Sequence, residues 1–164
     1  MNVDSLSADA VLDGVGQNRP ELRRLVDLYL ARKPERVLEI GVWYGGTLRE
    51  WLTNAADTAT VVAVDPEHQN PNLYEKWKKP GSIFHAVTGR TGSEQTDNII
   101  RSHGPYDWVF VDGDHADDAV EHDTALALEV TRPGGLILFH DIAADGYPPL
   151  APRIAFDNLI AEQD

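Results

Sequence analysis

The sequence predicts a doubly wound α/β domain, with a parallel sheet of strand order 3-2-1-4-5 and helices on both faces. Three observations lead there. Five short apolar segments recur at nearly even spacing, with 24, 23, 24 and 28 residues separating Ile40, Val64, Val87, Val111 and Phe139. Each gap has room for one helix and two turns, the rhythm of β-α-β units with right-handed crossovers. The first segment runs straight into a glycine turn, Gly41-Val42-Trp43-Tyr44-Gly45-Gly46, and then into an amphipathic stretch. Acidic residues stand at the ends of the second, fourth and fifth segments, Asp65, Asp112 and Asp141. Ligands in such sheets bind beyond the carboxyl ends of the strands.

The elements follow in order. Pro20–Arg32 reads as a helix, with Pro20 suited to the first turn and Leu22, Leu25, Val26, Leu28, Tyr29 and Leu30 forming a broad apolar face. Arg36–Ile40 is the first strand, apolar after Arg36 apart from Glu39, as expected of a strand covered on both faces. Helices are expected over 47–54, 92–102, 116–130 and 153–162, and strands over 60–65, 82–87, 108–112 and 136–140. The polar stretch from Pro66 to Pro80 reads as a loop with one short turn. The 164 residues are expected to form one domain: an N-terminal helical segment 1–33, a core 34–142, and a loop and helix 143–164.

Net charge is −13, the reverse of what phosphate neutralisation requires, so nucleic acid is discounted as a partner. No run approaches the roughly 18 apolar residues of a membrane span, and no secretory signal is visible; the reading is cytoplasmic, with no membrane partner. The chain has no cysteine, which excludes disulfides and cysteine-based zinc sites.

A strand, a glycine turn and a helix N-terminus make a nucleotide-type site, because backbone can approach a ligand closely there. The dinucleotide fingerprint would need glycine at 41, 43 and 46; position 43 is Trp, where a pyrophosphate would need the smallest residue. The pattern E-x-G-x-x-x-G fits S-adenosylmethionine (SAM) better, the glycines admitting its methionine portion and Glu39 orienting its ammonium group. Asp65 is placed to accept from both ribose hydroxyls, or else is a turn residue before Pro66. Tyr106-Asp107-Trp108-Val109-Phe110-Val111-Asp112-Gly113-Asp114-His115 concentrates carboxylates and a histidine around a strand. Asp107 reads as structural and Asp114 as the cap of the next helix. His115 is either a general base or a first-turn residue without a chemical role. Asp112 and Asp141 end neighbouring strands about 4.8 Å apart and suit a hard divalent cation, or are acidic loop residues. His140 reads as packing under the sheet. His115, Asp118 and His122 fall at helical spacing, which suits a transition metal or a solvated face.

Together, the segments Glu39–Thr47, Val64-Asp65, Val111–His115 and Arg132-Pro133-Gly134-Gly135 through Phe139-His140-Asp141-Ile142 resemble class I SAM-dependent methyltransferases, in the small-molecule O-methyltransferase branch near the cephalosporin hydroxylase and macrolide-sugar O-methyltransferase families. Gln17–Leu30 is similar to that branch's N-terminal helix, and the resemblance spans about residues 16–142. It implies a Rossmann-like fold in which Gly41, Gly45 and Gly46 hold the methionine end of SAM and Asp65 its ribose. Glu39, Trp43, Tyr44, Pro66, Thr88, Gly89, Asp112, Gly113 and His115 complete the expected cofactor shell. It also implies magnesium on Asp112 and Asp141, His115 as the base, and a hydroxylated sugar or natural product as acceptor. The chain departs from the pattern at Gly89-Arg90-Thr91, where relatives carry an acidic residue against adenine, and at Ile142, where catechol-type sites carry asparagine. It also ends before the last two strands of the seven-stranded methyltransferase sheet, which would leave the fifth strand as an apolar edge for self-association. The rival readings are a SAM-binding or shortened module without turnover, an NAD(P) protein, and a metallohydrolase built on Asp112, His115 and His122.

Overall fold

The computed structural model describes residues 19–69 and 71–142. Its element order is α1 (Arg19–Arg32), β1 (Arg36–Ile40), α2 (Gly46–Asn54), β2 (Thr60–Asp65), α3 (Pro71–Trp77), β3 (Ile83–Thr88), α4 (Glu94–His103), β4 (Tyr106–Val111), α5 (Asp117–Val130) and β5 (Thr131–Phe139). The described strands form one sheet, ordered β3-β2-β1-β4-β5 and parallel throughout, as the spacing predicts. The expected helix at 153–162 and the segment before Arg19 lie outside the described residues.

Alternation along the strands sorts the core into two layers. Val37, Val61, Ala63, Trp108 and Phe110 face one side with Tyr29 of α1, Leu48, Trp51 and Leu52 of α2, and Tyr74 of α3. Leu38, Ile40, Val62, Val64, Val109 and Val111 face the other, with Ile100 of α4 and Leu126, Ala127 and Val130 of α5. Burial on both faces is why the strands read as continuous apolar runs. Tyr29 stacks on Trp51 with centroids 4.9 Å apart and meets Trp108 edge-on at 5.2 Å, so α1 is anchored by an aromatic cluster.

One element was expected to be irregular and is not. Residues 71–77 form α3, with Pro71 at its first position and Lys78 paired to Glu75 just beyond it. It buries Tyr74 and packs Trp77 against the glycine turn, where a Cβ on Gly45 would lie 3.1 Å from both rings. A seven-residue helix held by one buried ring leaves little periodic signal.

Hydrogen bonds continue past each strand and hold the tips in step: Gly41 N–H to Val64 O at 2.9 Å, Asp112 N–H to Ile40 O at 2.8 Å, Gly89 N–H to Asp65 O at 3.0 Å and His140 N–H to Val111 O at 3.0 Å. At the opposite end, Asp107 accepts the N–H groups of Glu35 and Arg36 at 2.8 Å each and pairs with Arg132, tying β4 to the start of β1. β5 is an edge of the described sheet, with Ile137, Leu138 and Phe139 half-buried.

Candidate functional site

The strand tips open into a cleft of about 980 Å³ that runs from the loop after β3 to the end of β5. Its floor depends on Gly41. That residue has φ +85°, and a Cβ there would lie 1.9 Å from the Asp112 carbonyl oxygen, so β1 and β4 close together only with glycine at this point. The next residues turn tightly, and Trp43 takes φ +49°, an uncommon conformation for a bulky side chain. Asp65 holds that turn: its Oδ2 accepts from Val42 N–H at 2.8 Å and Trp43 N–H at 2.9 Å, and its Oδ1 from Glu67 N–H at 2.8 Å. Three of the roughly four acceptor positions of a carboxylate are thereby used. The position that remains is on Oδ1.

Gly41, Trp43, Gly46, Asp65, Pro66, Gly89, Asp112, Gly113, His115 and Asp141 all line the cleft. Four residues of the expected cofactor shell are not part of the cleft wall. Tyr44 leans on the Trp43 ring at 4.8 Å, Gly45 faces α3, and Thr88 lies outside the wall. Glu39 is buried beneath the turn, between its register partners Ala63 and Phe110. Its Oε2 has no hydrogen-bond partner, and its pKa is raised well above the usual carboxylate range by burial, then by Asp112 and Asp65 two residues further along the neighbouring strands. Burial makes a charge on this carboxyl costly beneath the turn.

At the β5 end, Asp112, His115 and Asp141 each offer one ligand atom, all within 4.8 Å of one another. His115 Nε2 is 3.4 Å from Asp141 Oδ2. His140, expected under the sheet, instead faces this group, with Nδ1 3.0 Å from Asp112 Oδ1 and 3.1 Å from Asp141 Oδ2. Burial pulls the His140 pKa down, but the Asp112 and Asp141 carboxylates outweigh it and hold the ring above its ordinary value. Two carboxylate oxygens converging on one ring nitrogen mark a place where positive charge is favoured. The oxygen, oxygen and nitrogen donors fit a divalent cation there, of the softer kind that accepts imidazole as well as of the all-oxygen kind.

Two further expectations are corrected. Asp114 does not cap α5, whose N-cap is Ala116 without a side-chain bond; Asp114 Oδ1 accepts from Ala116 N–H at 3.2 Å and Oδ2 meets Arg90 at 3.2 Å across the cleft mouth. His115 precedes α5, so it shares no helix face with Asp118 and His122, and His122 Nε2 is engaged by Asp97 Oδ2 at 2.9 Å. Thr91, Gly92, Asp123 and His140 line the cleft without having been assigned to it, and Asp118 and His122 line it too. The places of His122, Asp123 and His140 depend on how α5 and β5 meet the sheet, which no local pattern encodes.

The fold and this site define an α/β domain with a cofactor-type cleft at its strand tips. The chain belongs to the Methyltransferase domain family, whose model matches residues 38–142. It is 27% identical to mycinamicin VI 2''-O-methyltransferase of Micromonospora griseorubida over 85% of this chain and 40% of that protein, and 28% identical to caffeoyl-CoA O-methyltransferase 2 of Zea mays over 76% and 47%. The chain thus spans about half the length of the curated relatives it matches. Among solved structures, an O-methyltransferase from Bacillus cereus in complex with SAH shares the fold at TM-score 0.71 and 17% identity, over 97% of this chain and 77% of that one. MycE methyltransferase, in complex with Mg, SAH and mycinamycin VI, aligns at TM-score 0.64 and 25% identity, over 87% and 37%. No described helix is long and apolar enough to cross a membrane.

Proposed function

We propose that the chain binds SAM across the tips of β1, β2 and β4 and transfers its methyl group to a hydroxyl of a small molecule, a sugar or a phenolic natural product. The observation that carries this is a single cleft joining the Gly41 turn and Asp65 to the Asp112–His115–Asp141 group. The Gly41 and Gly46 turn receives the methionine portion, and Asp65 Oδ1 accepts a ribose hydroxyl. The relatives named above are O-methyltransferases, which supports the same reading.

Transfer is a direct displacement: the substrate oxygen forms a bond to the methyl carbon as the carbon–sulfur bond breaks, leaving neutral SAH. The hydroxyl proton passes to His115, whose exposed ring lies beside Asp141, and the resulting imidazolium is steadied by that carboxylate. A divalent cation, where bound, would sit on Asp112 and Asp141 and supply Lewis acidity toward the attacking hydroxyl. Holding the oxygen in line with the methyl group is itself worth several kcal/mol of barrier.

Calorimetric titration with SAM and SAH, followed by methyl transfer to a panel of hydroxylated sugars and catechols, tests the proposal. Micromolar binding with transfer supports it. Absence of binding to either compound overturns it, and binding without transfer to any acceptor reduces it to a cofactor-binding module.

A further inference from the structure

A second cavity lies at the end of the sheet opposite the strand tips. The end of α1 and the starts of β1, β4 and β5 enclose about 530 Å³, with Arg32, Lys33, Glu35, Arg36, Asp107 and Arg132 as its charged residues. The methyl-transfer reading makes no use of it.

Its charge runs against that of the molecule. Four cations and two carboxylates leave this wall at +2, in a chain whose net charge is −13. Asp107 is already committed, since it accepts the N–H groups of Glu35 and Arg36 at 2.8 Å each and pairs with Arg132. Among the described residues no carboxylate pairs with Arg32, Lys33 or Arg36. Like charges gathered in one concavity repel, and that repulsion is relieved when an anion enters.

The backbone of Lys33 is an independent observation. Its φ is +50°, and its N–H bonds to Tyr29 O at 2.9 Å, which makes it the left-handed residue that closes α1. That position favours glycine, because a side chain there meets the following carbonyl. A lysine destined only for solvent has no need of a left-handed backbone. An outlier of this kind, with its charged side chain on the wall of a cavity, points to a use for that side chain.

Two of the arginines are also anchored. Arg36 Nη1 donates to His103 O at 2.7 Å, and Arg132 Nε is held by Asp107. A guanidinium carries five N–H donors in one plane, so fixing one of them sets the direction of the rest.

We propose that this cavity is a second ligand site, which takes a phosphate dianion, free or carried by a small organic molecule. The two charges of such a ligand match the excess on the wall. Guanidinium forks bind its oxygens through charge-assisted hydrogen bonds, and Lys33 adds a compact point charge. The volume is far larger than a bare ion needs and falls in the range of small-molecule pockets. A ligand here bridges the end of α1 to the starts of β1 and β5 and takes no part in methyl transfer.

The test is calorimetric titration of the full chain, in phosphate-free buffer, with inorganic phosphate, ribose 5-phosphate and ribose. Wild type is expected to bind the phosphates and not the neutral sugar, with an affinity that falls as salt rises. Lys33→Gly should weaken phosphate binding at least about tenfold, the loss of one charge-assisted contact. It should also melt no lower than wild type, because glycine suits the left-handed backbone. Weaker binding in a chain that is no less stable separates a ligand role from a structural one. Arg36→Gln, as a second variant, should weaken binding as well. Tighter binding of ribose 5-phosphate identifies the ligand as an organic phosphate, and equal affinities identify it as the free ion. Wild type that binds neither phosphate at millimolar concentration, or variants that bind as wild type does, would overturn the inference.

Discussion

A Cβ on Gly41 would lie 1.9 Å from the carbonyl oxygen of Asp112, so the first strand's turn and the fourth strand's tip are packed backbone to backbone. Gly41→Ala must therefore move the segment that carries Asp112 and also bear an unfavourable φ. Gly134 has a similar φ, +82°, but nothing within 4 Å of a Cβ, so Gly134→Ala isolates the conformational cost alone. The expected losses are about 1 kcal/mol for Gly134→Ala and about 3 kcal/mol or more for Gly41→Ala, read from urea unfolding. Equal losses would show that the close approach of the two strands is not a constraint.

Glu39 makes stability depend on pH. Burial, with Asp112 and Asp65 adding to it, raises its pKa in the folded chain, so the native state keeps a proton that the unfolded chain has released. Its contribution is fully present below the unfolded value of about 4.3 and is lost as pH rises toward the raised native value. Glu39→Gln keeps the shape and removes the ionisation. The variant should therefore be more stable than wild type near neutral pH, with the gap closing on acidification, at a slope of at most about 1.4 kcal/mol per pH unit. Parallel melting curves for the two proteins across pH 4–8 would contradict the assignment.

The Asp112–His115–Asp141 group predicts a measurable cation site. Paramagnetic Mn²⁺ added to the chain should bind with a defined stoichiometry, and Asp141→Asn should weaken it at least about tenfold by removing one of two anionic ligands. Because Asp141 has φ +56°, a conformation asparagine also tolerates, that variant leaves the backbone in place. Binding unchanged in Asp141→Asn would place the cation elsewhere.

Much of this architecture was legible because its signals are local. Strands β1 and β2 are bounded as expected, since both faces of each are covered and the apolar run ends where the cover ends. The Gly41 turn and Asp65 declare themselves by residue type at a strand end. The helix around Tyr74 did not, because its stability comes from one ring packed on α2 and the turn rather than from a repeating face. The polar contacts of His140 and His122 were hidden for a related reason: the direction of their ring nitrogens follows from tertiary contacts with Asp112 and Asp97. The bracing role of Asp65 was likewise invisible, because its partners are main-chain N–H groups that carry no sequence signature.

His115 stands in two candidate roles, base and cation ligand, and one variant separates them. Its ring is half-exposed and its Nε2 is 3.4 Å from Asp141 Oδ2, near enough to pass a proton to the site or to share a cation with that carboxylate. If it acts as the base, His115→Ala should lower kcat by about 10²–10⁴ while SAH affinity stays within about twofold and Mn²⁺ affinity is unchanged. If it is a ligand, Mn²⁺ affinity falls together with the rate, and excess metal restores part of the activity. Proton acceptance is the expected role, because Asp112 and Asp141 already converge without it, each with a carboxylate oxygen within 3.1 Å of His140 Nδ1. A His115→Ala chain that transfers methyl groups at the wild-type rate would exclude both roles and leave the ring without a chemical part.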